Sequence, residues 1–147
     1  MELKEAFIRS TMEVFPIFRL KPQFRLEEEK NLLTVTDQVN ILISFTHNLK
    51  GNIVFGLDKN AALKVASAMI ARELQALDQE AKNALEEITN MIVSLAIGKH
   101  KVVNSIYFSS PILITGDNMS LLLSRVKSTK LTFQLKENYI SLAYCIQ

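Results

Sequence analysis

Cysteine is almost missing from this chain. The single Cys145 excludes an internal disulfide, and with only His47 and His100 beside it no zinc set appears in the usual spacing. Such a composition suits a reducing cytoplasm. The four glycines are scattered, so there is no glycine-rich loop to cradle a nucleotide's phosphates. No apolar run is long enough to span a bilayer, the stretch Met91 to Ile97 falling far short. The opening MELKEAFIRS carries acids where a signal peptide would be basic and then apolar, which predicts a protein neither exported nor membrane-inserted. Neither charge dominates: 17 Lys plus Arg stand against 15 Asp plus Glu, for a formal net charge of +2, with no long run of either sign. That is too mild for a binder of nucleic-acid backbones. What remains is 147 residues, 48% of them hydrophobic, enough for one domain over residues 1–147 with one substantial core.

Leu3, Phe7, Ile8, Met12 and Phe15 recur at helical spacing, and Pro16 ends that helix. Alternation from Ile17 to Leu26 predicts a strand, irregular or at an edge because Pro22 lacks a backbone donor. Glu27, Glu28 and Glu29 read as a solvated turn. Leu32 to Thr36, Val39 to Thr46 and Asn52 to Leu57 are β-branched and aromatic, with a polar loop between the last two. Asp58 can cap an alanine-rich helix, and Asp78 can cap a longer one running to about Gly98. Strands are then expected over Val103 to Phe108, Pro111 to Thr115, Lys130 to Leu135 and Tyr139 to Ile146, while Met119 to Val126 is open between strand and short helix. Helices interleaved with hairpins give an α+β class: an antiparallel-rich sheet with long helices packed on one face.

The third helix holds the information. Leu77, Ala81, Ala84, Leu85, Ile88, Ile92, Leu95 and Ala96 form one broad apolar face directed at the core. Opposite them Asn83, Glu87, Asn90 and Ser94, spaced four, three and four apart, stack in a band roughly 60° wide. Met91, Val93 and Ile97 are expected on its two sides, where a solvated face would more often carry charge. Taken alone, this is also what any amphipathic helix shows. Asparagine in mid-helix, however, lowers propensity without a packing gain, and it stands one turn from a carboxylate.

The segment LDQEAKNALEEITNM resembles the signature helix of the CheX branch of the CheC/CheX/FliY chemotaxis phosphatases, whose core is a Glu, two residues, then an Asn. Here that core is Glu87-Ile88-Thr89-Asn90. The preceding THNLKGNIVFGLDKNAALKVASAMI is similar to the family's β-hairpin and alanine-rich helix, and IRSTMEVF to its N-terminal helix. The sequence departs from the family pattern at Asn83, where Asp or Ser is usual, and at Val93-Ser94-Leu95, where relatives carry a small-residue stretch. The first helix offers Glu13 but Phe15-Pro16 in place of a following Asn, so one active face per chain is expected.

The resemblance implies hydrolysis of the aspartyl phosphate on a CheY-like receiver domain, with the receiver contributing both the phosphoryl group and its Mg²⁺, and with no cofactor or metal held by this chain. Asn90 would orient the attacking water and Glu87 would pair with the receiver's lysine. Asn83, Met91, Val93, Ser94 and Ile97 would contact the partner, and two chains would join as a homodimer through sheet edges. The alternative is a module of the same fold that binds a response regulator, or dimerises, without hydrolysis. His47, His100 and Cys145 are read as two surface residues and a packed thiol, with no role in the chemistry.

Overall fold

A computed structural model describes residues 1–47, 49–100 and 106–146. Helix α1 covers Leu3–Val14 and passes into a single 3₁₀ turn, Phe15–Phe18, because Pro16 fits the first turn of a helix but not its interior. Arg19 ends that turn in the left-handed region, and its amide donates back to the carbonyls of Phe15 and Pro16. The strand expected from Ile17 therefore begins only at Gln23, where β1 (Gln23–Lys30) starts. Glu27, Glu28 and Glu29 belong to β1 and not to a turn: they pair with Leu131, Lys130 and Thr129, so a cross-strand Glu28–Lys130 match replaces a solvated bend.

The remaining strands are β2 (Leu33–Val35), β3 (Val39–His47), β4 (Gly51–Leu57), β5 (Ile106–Phe108), β6 (Ile112–Thr115), β7 (Leu121–Ser124), β8 (Ser128–Leu135) and β9 (Asn138–Ile146). The ambiguous segment Met119 to Val126 thus resolves as strand. Positions 103–105 of the expected strand before β6 lie outside the described residues. All pairings are antiparallel, in the order β1-β8-β9-β4-β3-β5, with β6 also on β3; β2 and β7 form a separate pair.

Alternation along the central strands sorts side chains between two cores. Ile41, Ile43 and Phe45 of β3, Ile53, Phe55 and Leu57 of β4, and Ile140, Leu142 and Tyr144 of β9 face the helices. Val54 and Cys145 face the other way and are covered by Leu33 and Val35 of β2. The helical layer adds α2 (Lys59–Ile70) and α3 (Gln79–His100) to α1. Both caps form as the sequence suggests: Asp58 Oδ1 accepts from the Ala61 amide at 2.7 Å and Asp78 Oδ1 from the Ala81 amide at 2.9 Å. No described helix is long and apolar enough to cross a membrane.

Gly98 does not stop α3, which continues to His100, and a methyl group there would meet nothing within 4 Å. Gly51, with φ 154°, is the opposite case, since a β-carbon would lie 1.9 Å from the carbonyl oxygen of Cys145 on the paired strand. Two alanine substitutions should accordingly move thermal stability in opposite directions. Gly98→Ala is expected to stabilise by about 0.5–1 kcal/mol through helix propensity, and Gly51→Ala to destabilise by at least ~1 kcal/mol because backbone must shift; denaturant titration of both variants reads the signs.

Candidate functional site

The face of α3 is set by which of its residues are buried. Ala81, Ala84, Leu85, Ile88, Thr89, Ile92, Val93 and Ala96 are all inside, an arc of roughly 180° at 100° per residue. The Thr89 hydroxyl is neutralised within the helix, donating to the Leu85 carbonyl at 2.8 Å. The arc is wider than the sequence reading and turned toward Val93. That residue, expected on a docking rim, is 0% exposed and packed in the main core. Leu95, expected in the core, is 36% exposed and lies beside Ser94 at the edge of a shallow depression shared with Met1, Gly98 and Lys99. A helix flanked by neighbours on one side buries that flank, and periodicity alone does not say which flank it is.

Centred opposite the buried arc are the four polar residues expected there. Asn83, Glu87 and Ser94 are exposed and Asn90 is half-buried. Asn83 Oδ1 accepts from Gln79 Nε2 at 2.8 Å, so its carbonyl is engaged within the helix. Among the described residues, Glu87 and Asn90 make no side-chain hydrogen bond or ion pair. Separated by three positions, they lie one above the other, with β-carbons about 5–6 Å apart. Met91 and Ile97 are half-buried against the core and offer only their outer edges.

The chemical capacity of this face is specific. A carboxylate accepts only, and here its acceptor capacity is unspent; a carboxamide both accepts and donates. Placed one turn apart on a rod anchored by Ile88 and Ile92, each worth roughly 1.5–3 kcal/mol of burial, the two heads can hold a cation and a water in fixed relation. Glu87 and Asn90 stand on convex helix surface and line neither the depression beside Ser94 nor the clefts elsewhere on the described chain that hold Asp37 and Lys64, so an object meeting both heads must bring its own concavity. Glu13 of α1 faces a different task, its Oε1 lying 3.0 Å from Lys99 Nζ. Among the described residues no group of three or more His, Cys, Asp or Glu could hold a metal ion. His47 ends β3 with its ring 4.6 Å from that of Tyr107, and His100 Nδ1 lies 2.9 Å from the Met1 carbonyl oxygen.

One perturbed acid escaped sequence reasoning. Asp37 lies in a depression of about 330 Å³ on the opposite sheet face, with Lys130 and Ser141 among its neighbours. Burial raises its pKa, against the lowering effects of the Lys130 charge and a hydrogen bond from Ser141, and Asp58 adds a further raising effect. In sequence it is an ordinary turn residue before β3, and nothing near it signals burial.

Two measurements check these placements. Ile88→Ala should cost roughly 2–5 kcal/mol by leaving a cavity, whereas Glu87→Ala and Asn90→Ala should shift unfolding by no more than ~0.7 kcal/mol, the latter in the stabilising direction; a large loss from either polar variant would mean that its head is structural. For Asp37, a folded-state pKa above the unfolded one means the fold binds the proton more tightly. Its contribution is therefore full below the unfolded pKa and lost as pH rises through the folded value. Asp37→Asn should stabilise the protein at neutral pH and remove that part of the pH dependence just above the ordinary carboxylate range.

The chain matches the family model for the chemotaxis phosphatase CheX over residues 39–134. Against curated protein sequences it finds no match. Among solved structures it is similar to the chemotaxis protein CheX from Desulfovibrio desulfuricans (TM-score 0.87, 21% identity, 100% of both chains). It is also similar to CheX from Vibrio vulnificus (TM-score 0.86, 18% identity, 100% of both chains). A third likeness is to the CheX–CheY–BeF3–Mg²⁺ complex from Borrelia burgdorferi (TM-score 0.77, 17% identity, 99% of this chain and 98% of that one). The matched span contains β3 to β7, the whole of α3 and all of β8 but Leu135, and with the architecture it establishes that this chain belongs to the CheX family of chemotaxis phosphatases.

Proposed function

We propose that this chain hydrolyses the aspartyl phosphate of a CheY-like response regulator in the cytoplasm, in chemotaxis or related two-component signalling. The observation that carries the reading is the pair Glu87 and Asn90, side by side and unengaged on an exposed helix whose register is held by the core. Family membership and the capture of a relative with CheY support the class of partner.

Glu87 pairs with the receiver's lysine and anchors α3 over the phosphorylated aspartate, a contact for which its free carboxylate is suited. Asn90 accepts a hydrogen bond from one water and holds it in line with the phosphorus and the leaving carboxylate oxygen. Attack forms the new P–O bond as the bond to the aspartyl oxygen breaks; the aspartate leaves as carboxylate, and the water's proton ends on phosphate or solvent. Phosphoryl transfer passes through a loose transition state that needs positioning more than covalent catalysis, so a carboxamide suffices. A Mg²⁺ held by the receiver would supply the neutralisation of charge on the phosphoryl oxygens. Asn83, Ser94 and the outer edges of Met91 and Ile97 complete the contact, whereas Val93, being buried, takes no part. The same reading includes a homodimer joined through a sheet edge; among the described residues the larger sheet ends at β1 on one side and at β5 and β6 on the other.

Single-turnover phosphate release from a phosphorylated receiver tests the mechanism. Asn90→Ala should lose roughly 10²-fold of the acceleration with receiver binding retained. Glu87→Lys should weaken binding itself, by replacing an attractive charge pair with a repulsive one. Undiminished release by Asn90→Ala rules out the water-positioning role. Tight binding by the wild type with no acceleration selects the non-catalytic module instead.

A further inference from the structure

Beside α2, a cleft of about 630 Å³ opens between the turn after the 3₁₀ segment, α2 and the β8–β9 turn. None of its lining residues comes from α3. Its floor is apolar: Leu74 and Leu135 are buried, and Leu20 and Leu63 are half-buried around them. Its mouth is cationic, with Arg19, Lys21, Lys64 and Lys136 set against the carboxylates of Glu73 and Glu137. Lys64 pairs with Glu137, whose pKa is lowered by that hydrogen bond, and also donates to Asn138 Oδ1 at 2.9 Å. Among the described residues, Arg19, Lys21 and Lys136 have no carboxylate within ion-pair distance.

The backbone at two of these cations is unusual. Arg19 has φ 63° and Lys136 φ 55°, left-handed conformations that cost an L-residue about 1–2 kcal/mol and that glycine or asparagine would adopt more cheaply. Lys136 occupies the first position of a two-residue hairpin turn, Lys136-Glu137, a place that favours glycine when its φ is positive. At two positions of the cleft's exposed rim the chain thus spends a long cation where backbone geometry asks for the smallest residue. Strain of this kind gathers at ligand clamps.

We propose that this cleft binds a small amphipathic carboxylate, its apolar body on the leucine floor and its head between Arg19 and Lys136. The volume lies within the range of roughly 300–1,000 Å³ usual for small-molecule sites, and Arg19, Lys21 and Lys136 are exposed at the rim above a buried leucine floor. An arginine fork matches a planar carboxylate with two parallel hydrogen bonds, and the uncompensated positive charge at the mouth favours an anion over a neutral or cationic analogue. The site is independent of the phosphatase reading, and failure of either leaves the other standing.

Decanoate is a suitable probe, with decan-1-ol and acetate as the body without the charge and the charge without the body. Calorimetric titration of the full chain, with amide-shift mapping, should show saturable one-to-one binding of decanoate that moves the amides around residues 19–21, 63–67 and 135–138. Decan-1-ol should bind roughly tenfold or more weakly and acetate not measurably, since each lacks one half of the recognition. The exposed pair Arg19→Gln with Lys136→Asn, the latter well suited to a left-handed φ, should weaken decanoate binding by about tenfold or more while leaving the unfolding midpoint unchanged or raised. No binding of decanoate, equal binding of decan-1-ol, shifts confined to other surfaces, or undiminished affinity in the double variant would each overturn the assignment.

Discussion

Everything distinctive about this molecule depends on the seam that seats α3 against α1 and α2 above the β3 side of the sheet. Ile88 and Ile92 share one continuous core with the inward rows of β3, β4 and β9, while the helix itself lies closest to α1 and α2 and approaches the sheet at β3 and β6. A helix seated this way has no freedom to roll, because rolling by one position would expose an isoleucine and bury a carboxylate. Glu87 and Asn90 are held outward by the same contacts that hold their neighbours inward. The polar pair therefore needs no hydrogen bonds of its own to stay in place.

That seam requires a rigid sheet beneath it, and the sheet is rigid because its central strands are covered on both sides. The helix-facing rows of β3, β4 and β9 alternate with Leu42, Val54, Ala143 and Cys145, which β2 and its surroundings shield from water. The small β2–β7 pair looks peripheral in the topology, yet it allows strands with apolar residues on both faces to sit in the middle of the sheet. Cys145 belongs to this second core as a packed thiol. The edges carry the opposite chemistry, β1 being exposed or half-exposed throughout and bearing three consecutive glutamates.

The two surfaces of interest differ in how they meet a ligand. The α3 face is convex, with two heads one turn apart, and suits a protein surface that brings a concave site. The cleft beside α2 is concave, with a greasy floor and charged lip, and suits a small molecule. They share the helical layer but no residue, so the fold presents two kinds of recognition from one scaffold. Family membership speaks to the first and is silent on the second.

Local chemistry made much of this legible in the residues themselves. Asp58 and Asp78 announce their helices because a carboxylate at an N-cap satisfies free amides wherever the chain goes afterwards. β-Branched and aromatic runs announce β3 and β4, runs between turn signals announce β8 and β9, and the four-three-four spacing puts Asn83, Glu87, Asn90 and Ser94 on one line of α3. Other features were legible only in three dimensions. Whether Val93 or Leu95 enters the core depends on which flank of α3 its neighbours cover; Glu27 to Glu29 extend because β8 pairs with them; and Asp37 is desolvated by strands distant in sequence. The cleft is assembled from residues 19–21, 60–74 and 135–138, segments with no sequence relation to one another. Periodicity, capping and turn chemistry act within a few residues, so the amino-acid order settles them. Burial, charge environment and cavities arise where separate segments meet, and only the folded chain decides those.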